Sequence, residues 1–276
     1  MRPVVAPDWI ETVCPSIVLV MNTEVIVVTG ASRGIGAATV RCLARPGRRL
    51  VLLARSPLHL QRRVAEARAQ GAEAWSLPVD LACPESARGA FETLLDHEPA
   101  IDGLILNAGV AADRPFRDAT SGSIQREIEV NYLAPAELMR RVLPSMVRRG
   151  RGRVVVVGSL TSFVPFPGNA SYSASKAALF SLVRSVRVEL RGTGVHLGVV
   201  LPGYTRTAMT EGRSSYLPAM APETVGEAVA RCYDREQHLV VPGALNRAAA
   251  RVFSLFPETS DRVLTRLARF VIPNPA

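Results

Sequence analysis

The sequence predicts an α/β protein: one doubly wound parallel sheet in a single domain, followed by a helical C-terminal extension. Three observations predict it. Short β-branched runs alternate with amphipathic helical stretches from residue 24 to about 242. These runs are apolar almost without a break, as strands buried on both faces must be. A glycine-rich turn, "VTGASRGIG", joins the first strand to the first helix. Repeated βα units with right-handed crossovers satisfy all three.

Taken in order, "VIVVTG", "RRLVLLAR", "EAWSLPVD", "IDGLILNAG", "RVVVVGS" and "GVHLGVVLPG" read as strands, and "QHLVVPG" as a last one. Helical periodicity covers residues 34–45, 57–70, 84–97, 123–149, 172–191 and 222–233. No repeat, low-complexity segment or composition break marks a linker. The expected organisation is therefore an N-terminal extension over 1–20, a folded domain over 21–243 and a tail over 244–276. Met21, just before the first strand, is an alternative start. In the tail, Leu245, Ala249, Val252 and Phe256 recur at helical spacing, as do Val263, Leu264 and Leu267. Arg262, Arg266 and Arg269 fall on another face. Packing of this apolar stripe on the body or across a dimer is favoured over contact with a membrane surface.

The composition narrows the function. Hydrophobic residues make up 48% of the 276 and aromatics 5%, enough for a large, mostly aliphatic core. A net charge of +9 admits a nucleic acid, an acidic protein, an anionic membrane or an anionic cofactor as partner. The basic residues are dispersed apart from "RRGRGR" at 148–153 and the tail, and no zinc-finger or RNA-recognition signature accompanies them. Nucleic acid is not an expected partner. Cys14, Cys42, Cys83 and Cys232 are scattered and match no metal-ligand spacing, which fits a reduced, cytoplasmic protein with no metal. No apolar run approaches the roughly 20 residues of a membrane span. The first 30 residues carry Asp8 and Glu11 and too short an apolar centre for a signal peptide.

Glycines between a strand and a helix allow a tight turn and close approach to a pyrophosphate at the helix N-terminus. Here Gly30, Ser32, Arg33, Gly34, Ile35 and Gly36 are in that place. At the end of the second strand, where an acid would hydrogen-bond the ribose of NAD, the chain has Ala54 and Arg55. Arg33 and Arg55 with no carboxylate suit a 2′-phosphate, so NADP(H) is the expected cofactor.

Tyr172 and Lys176, in "YSASK", are four apart on one face of a helix. Lys176 is the only lysine among 33 basic residues. Reduction of a ketone needs a proton for the carbonyl oxygen. A tyrosine can give it, but its ordinary pKa is about 10. A neighbouring ammonium favours the phenolate and lowers that value. A compact ammonium is not replaceable there by a planar guanidinium.

The spacing T-G-x-x-x-G-x-G together with Y-x-x-x-K resembles the short-chain dehydrogenase/reductase family over residues 25–243. The resemblance implies a Rossmann-type fold and an oxidoreductase acting on a ketone or secondary alcohol. It implies a catalytic tetrad of Asn131, Ser159, Tyr172 and Lys176. Ser159 would hydrogen-bond the substrate oxygen, Lys176 the nicotinamide ribose, and Asn131 a water behind the lysine. Asn107, Ala108 and Gly109 would shape the cofactor cleft, and Pro202, Gly203 and Thr207 would lie beneath the nicotinamide. Asp80 either contacts the adenine or caps the helix starting near Pro84. The substrate lid is expected over 208–218, with Leu160, Phe163, Val164, Phe166, Tyr204, Met209 and Tyr216 facing the substrate. That apolar set favours a hydrophobic ketone over a sugar. A 3-oxoacyl thioester is the alternative, carried by CoA or by an acidic carrier protein docked on Arg148, Arg149, Arg151 and Arg153. A non-catalytic NADP-binding sensor or scaffold is another, against which an intact tetrad argues. A homodimer or tetramer is expected, although the tail weighs against the tetramer.

Overall fold

The computed structural model describes residues 23–164, 166–211 and 218–255, and the single positions 262, 265 and 266. Its strands are β1 (Glu24–Thr29), β2 (Arg48–Ala54), β3 (Glu73–Pro78), β4 (Gly103–Leu106), β5 (Gly152–Val157), β6 (Val195–Val200) and β7 (Leu239–Val240). The helices are α1 (Gly34–Leu43), α2 (Pro57–Ala69), α3 (Pro84–His97), α4 (Ser121–Ile128), α5 (Ala134–Arg149), α6 (Ala170–Glu189), α7 (Pro222–Asp234) and α8 (Ala244–Leu255). The strands form one sheet in the order β3-β2-β1-β4-β5-β6-β7, every neighbouring pair parallel.

Successive side chains of a strand point to opposite faces, and here both faces are covered. Val27, Val51, Leu104, Val154 and Leu197 face α3, α5 and α6 through Leu94, Leu138 and Val183. Ile26, Leu50, Ile105 and Val155 face α1, α2 and α7 through Val40, Leu60 and Val229. The chain runs outward from β1 to β3 and then returns to β4 on the other side of β1. That reversal leaves a crevice at the carboxyl ends of β1 and β4.

Three elements differ from their expected form. The helix expected over 123–149 is divided into α4, a π-helical turn (Glu129–Leu133) and α5. Pro135 brings no N–H for the carbonyl of Asn131, and the Ala134 amide bonds back to Glu129 O, so the turn is widened. The tail helix α8 turns a different face inward. Asn246 and Ala250 are buried and Ala249 and Phe253 half-buried, while Leu245 and Val252 are exposed. The small face wins because α8 lies close on a backbone turn: a Cβ on Gly203 would lie 2.6 Å from Asn246 Nδ2. Arg262 and Arg266 are exposed. The expectations for 1–20, Phe256, Val263, Leu264, Leu267 and Arg269 lie outside the described residues.

The third difference is the arginine run before β5. Arg149 and Arg151 lie 3.6 and 3.7 Å from Asp102 Oδ1, and Arg153 pairs with Glu24 at 3.0 Å and Glu236 at 2.8 Å. These residues are at the amino ends of the strands. A six-residue strand, roughly 20 Å, separates them from the crevice. A carrier protein docked there would face the wrong end of the sheet.

The same edge is closely packed. Tyr233 is fully buried, donates to Glu24 Oε1 at 2.8 Å and is pushed well above the usual phenol range by burial and by Glu24. A Cβ on Gly103 would lie 2.3 Å from the Tyr233 hydroxyl oxygen, whereas one on the exposed helical Gly89 meets nothing. Chemical denaturation should therefore find Gly103→Ala less stable by about 2–3 kcal/mol. Gly89→Ala should be more stable by about 0.5–1 kcal/mol.

Candidate active site

The crevice is a cleft of about 1030 Å³. Its floor is built by the ends of β1 and β4. Thr29 Oγ1 accepts from the amides of Asn107 (3.0 Å) and Ala108 (3.1 Å). Asn107 Nδ2 donates to Thr29 O at 3.0 Å and to Gly30 O at 3.2 Å. These bonds draw the two loops together, and only glycine fits between them. A Cβ on Gly30 would lie 2.8 Å from Ala108 Cα, and one on Gly36 2.1 Å from Gly30 O. Gly30 and Gly34 also have φ of +65° and +55°.

Helix α1 opens onto the cleft at Gly34, so its free amides and positive dipole end face whatever occupies it. Gly30, Ser32, Arg33, Gly34, Ile35, Gly36, Arg55, Asp80, Asn107, Ala108, Gly109, Pro202, Gly203 and Thr207 all line the cleft. Arg33 and Arg55 are exposed, and no ion pair engages either among the described residues. Asp80 is not the cap of α3, whose N-cap is Cys83. It accepts from the Ala82 amide at 3.1 Å and faces Arg126 at 3.7 Å. A glycine cradle at a helix N-terminus, with two unpaired guanidiniums beyond it, suits a phosphorylated dinucleotide.

The opposite wall carries Ser159, Tyr172 and Lys176. Ser159 follows β5, and its Oγ accepts from the Thr161 amide at 3.1 Å. Tyr172 is in the first turn of α6 and Lys176 one turn on, with Nζ 6.0 Å from the Tyr172 ring centre. Lys176 is 3% exposed, donates to Val157 O at 3.1 Å and has its pKa lowered to about 8 by burial. Asn131 lies behind this wall, fully buried in the π-helical turn. Its Oδ1 accepts from Val110 N at 2.9 Å, and its Nδ2 donates to Val110 O at 2.9 Å and Ser175 Oγ at 3.0 Å. Gly109 separates it from the lysine: a Cβ there would lie 3.4 Å from Asn131 Oδ1 and 3.5 Å from Lys176 Nζ.

Among the expected substrate contacts, Leu160, Val164, Phe166, Tyr204 and Met209 line the cleft. Phe163 does not. Its ring packs edge-on against Phe180, with centroids 4.7 Å apart, because the turn after Ser159 directs it to the apolar layer beneath. Tyr216 lies outside the described residues. Ala249 and Phe253 of α8, and Ser56 and His59 beside Arg55, line the cleft without having been anticipated. The spacing of Asn246, Ala249, Ala250 and Phe253 was the available signal for the first pair, obscured by the bulkier stripe beside it. Among the described residues no acidic, His or Cys cluster could hold a metal, and no helix is long and apolar enough to cross a membrane.

The family model of the short chain dehydrogenases matches residues 24–217. A ketoacyl reductase, HetN, of Nostoc sp. is 33% identical over 254 residues, covering 88% of each chain. A short-chain dehydrogenase of Sphingobium yanoikuyae, solved in complex with NADPH, is 32% identical with a TM-score of 0.75, covering 92% of this chain and 98% of its own. An alcohol dehydrogenase of Comamonas testosteroni described as specific for bulky-bulky ketones is 26% identical with a TM-score of 0.74, covering 92% and 97%. The chain belongs to the short-chain dehydrogenase family.

A buried ammonium weakens the fold that holds it. With Lys176 near 8 when folded and at about 10.4 when unfolded, the native state releases the proton first as pH rises. The cost of burying the charge, about 3 kcal/mol, is full below pH 8 and fades between 8 and 10. Removing the side chain also loses the bond to Val157 O, about 1 kcal/mol. Thermal unfolding of ligand-free Lys176→Met should therefore show a higher Tm than the parent at pH 7, and the gap should close towards pH 10.

Proposed function

We propose that the protein reduces a hydrophobic ketone to a secondary alcohol with NADPH, or runs the reverse reaction. The observation that carries this reading is one cleft with Ser159, Tyr172 and Lys176 on one wall and the glycine cradle with Arg33 and Arg55 on the other. Family membership and the NADPH-bound relative support the chemistry and the cofactor.

NADPH, when bound, supplies the hydride. Gly30, Gly34 and Gly36 would let its pyrophosphate approach the α1 N-terminus, and Arg33 and Arg55 would hold the 2′-phosphate. The turn at Pro202 and Gly203, with Thr207, would support the nicotinamide end. Ser159 Oγ donates to the carbonyl oxygen and Tyr172 transfers its phenolic proton to the same oxygen. Lys176 favours the resulting phenolate by its charge. Asn131 holds the carbonyl and amide of Val110, which keeps the backbone at Gly109 against the lysine.

Leu160, Val164, Phe166, Met209 and Phe253 offer a substrate an apolar surface. The alcohol dehydrogenase acting on bulky ketones favours the same class. A free 3-oxoacyl thioester is the second reading, supported by the relative named a ketoacyl reductase. Delivery on a carrier through Arg148–Arg153 is not part of it, given where that run lies. A homodimer or tetramer with a cytoplasmic location completes the proposal.

NADPH oxidation against a panel of bulky apolar ketones and 3-oxoacyl thioesters tests both readings. Turnover is expected with the apolar ketones, and Tyr172→Phe should lose at least about 1000-fold in kcat with its NADPH Kd unchanged. A Tyr172→Phe protein that binds NADPH and still turns over would sink the assignment. Arg33→Ala/Arg55→Ala should weaken NADPH binding about 10–100-fold and leave NADH binding unchanged. Activity should fall as pH rises above about 8, where Lys176 loses its proton.

A further inference from the structure

Tyr172 stands in a part of its helix that is poorly secured by the helix itself. Asn169 is the N-cap of α6, but its side chain caps nothing and donates instead to Asp113 Oδ1 at 2.8 Å. The first turn of a helix so capped frays readily. What holds it comes from outside. Glu127, at the end of α4, is 2% exposed, and each oxygen of its carboxylate accepts a hydrogen bond. Oε1 accepts from the Ala112 amide at 2.6 Å, and Oε2 accepts from the hydroxyl of Ser171, the residue before Tyr172.

A buried carboxylate is costly unless each oxygen is matched, so this geometry is tightly specified. Through it, the first turn of α6 is tied to the loop after β4. That loop also carries Asn107–Gly109 on the cofactor side and Val110 in the bond with Asn131. The ionisable groups held against this turn are Lys176 on α6 itself, Glu127 on α4 and Asp113 on the loop.

We propose that Glu127 is a positioning residue for catalysis: through Ser171 and Ala112 it fixes Tyr172 relative to Lys176 and to the cofactor-side loop. The inference rests on Tyr172 being the proton donor. Glu127→Ala and Ser171→Ala each release the turn. Glu127→Gln keeps the shape and one acceptor, with an amide that can donate to the Ser171 hydroxyl.

The test uses the full chain and three readouts. These are the kcat and KM split with the preferred ketone, the Kd for NADPH, and the ionisation midpoint of Tyr172. The midpoint is obtained by ultraviolet difference titration of the ligand-free protein against Tyr172→Phe. Glu127→Ala and Ser171→Ala should lower kcat by about 10–100-fold with KM and Kd within about 2-fold, and should raise the Tyr172 midpoint as the ring leaves the ammonium. Glu127→Gln should recover most of the kcat and the parental midpoint. A Glu127→Ala protein with a lower Tm but unchanged kcat and midpoint would make the residue purely structural and overturn the proposal. A fall of the midpoint in both Glu127 variants would show that it acts as a charge and not as a tether, which also overturns it. Tyr172→Phe is measured in parallel. If it retains turnover, the reading of the reaction fails and this proposal with it. If it is inactive while Glu127→Ala behaves as the parent, only this proposal fails.

Discussion

The contact between the ends of β1 and β4 organises the rest of the molecule. Thr29 and Asn107 exchange side-chain and backbone hydrogen bonds across the point where the sheet reverses its strand order. The loop that leaves this contact, residues 107–112, then meets several parts of the site in turn. Ala108 presses on Gly30 and gives the cradle its depth. Gly109 is beside Lys176, Val110 holds both ends of the Asn131 amide, and Ala112 meets Glu127. A doubly wound sheet always leaves a crevice at such a reversal. In this chain one six-residue loop joins the glycine-turn side of the crevice to the side that holds Lys176 and Asn131.

The charges follow from burial. The chain satisfies almost every need for a cation with arginine: Arg41 pairs with Glu223 and Arg153 with Glu236 near the surface, and the buried Arg48 is met by two carboxylates, Glu24 and Asp234. At position 176 there is one carbonyl, Val157 O, on the inner side and the cleft on the other. A guanidinium brings five donors in a fixed plane and keeps its charge at any working pH. An ammonium is satisfied by fewer partners and can be brought by desolvation to about 8. The surviving lysine is therefore where a small and tunable cation is needed, and it costs the fold stability to keep it there.

The strands, the glycine turn and the Tyr172–Lys176 spacing were legible because local rules govern them. Burial on both faces makes a strand continuously apolar, a tight turn needs positive φ at Gly30 and Gly34, and side chains four apart share a helix face. What escaped was decided by close approach between distant segments. The α8 stripe was misread because hydrophobicity favours Leu245 and Val252, while the fit over Gly203 favours Asn246 and Ala250. Phe163 is expected in the cleft, but a turn of three residues is enough to direct it to Phe180. The arginine run read as a docking surface because sequence shows clustering of charge and not the acids at Asp102, Glu24 and Glu236 that meet it. Glu127 gave no signal at all, since its partners are 15 and 44 residues away.

Helix α8 ties the tail to the chemistry. Asn246 Nδ2 donates to Pro242 O at 3.0 Å and contacts Met220 Sδ at 3.1 Å, and its amide packs on Gly203. Met220 in turn bridges to Thr205, closing the base of the segment over 206–219. One buried polar side chain thus joins the Pro202–Gly203 turn, the bridge at Met220 and the helix that presents Ala249 and Phe253 to the cleft. The two apolar sides of the cleft have different origins: Leu160, Val164 and Phe166 follow β5, while Phe253 comes from beyond the last strand. Ser159 and Tyr172 share the first side, and the second reaches the cleft through the packing of Asn246 on Gly203.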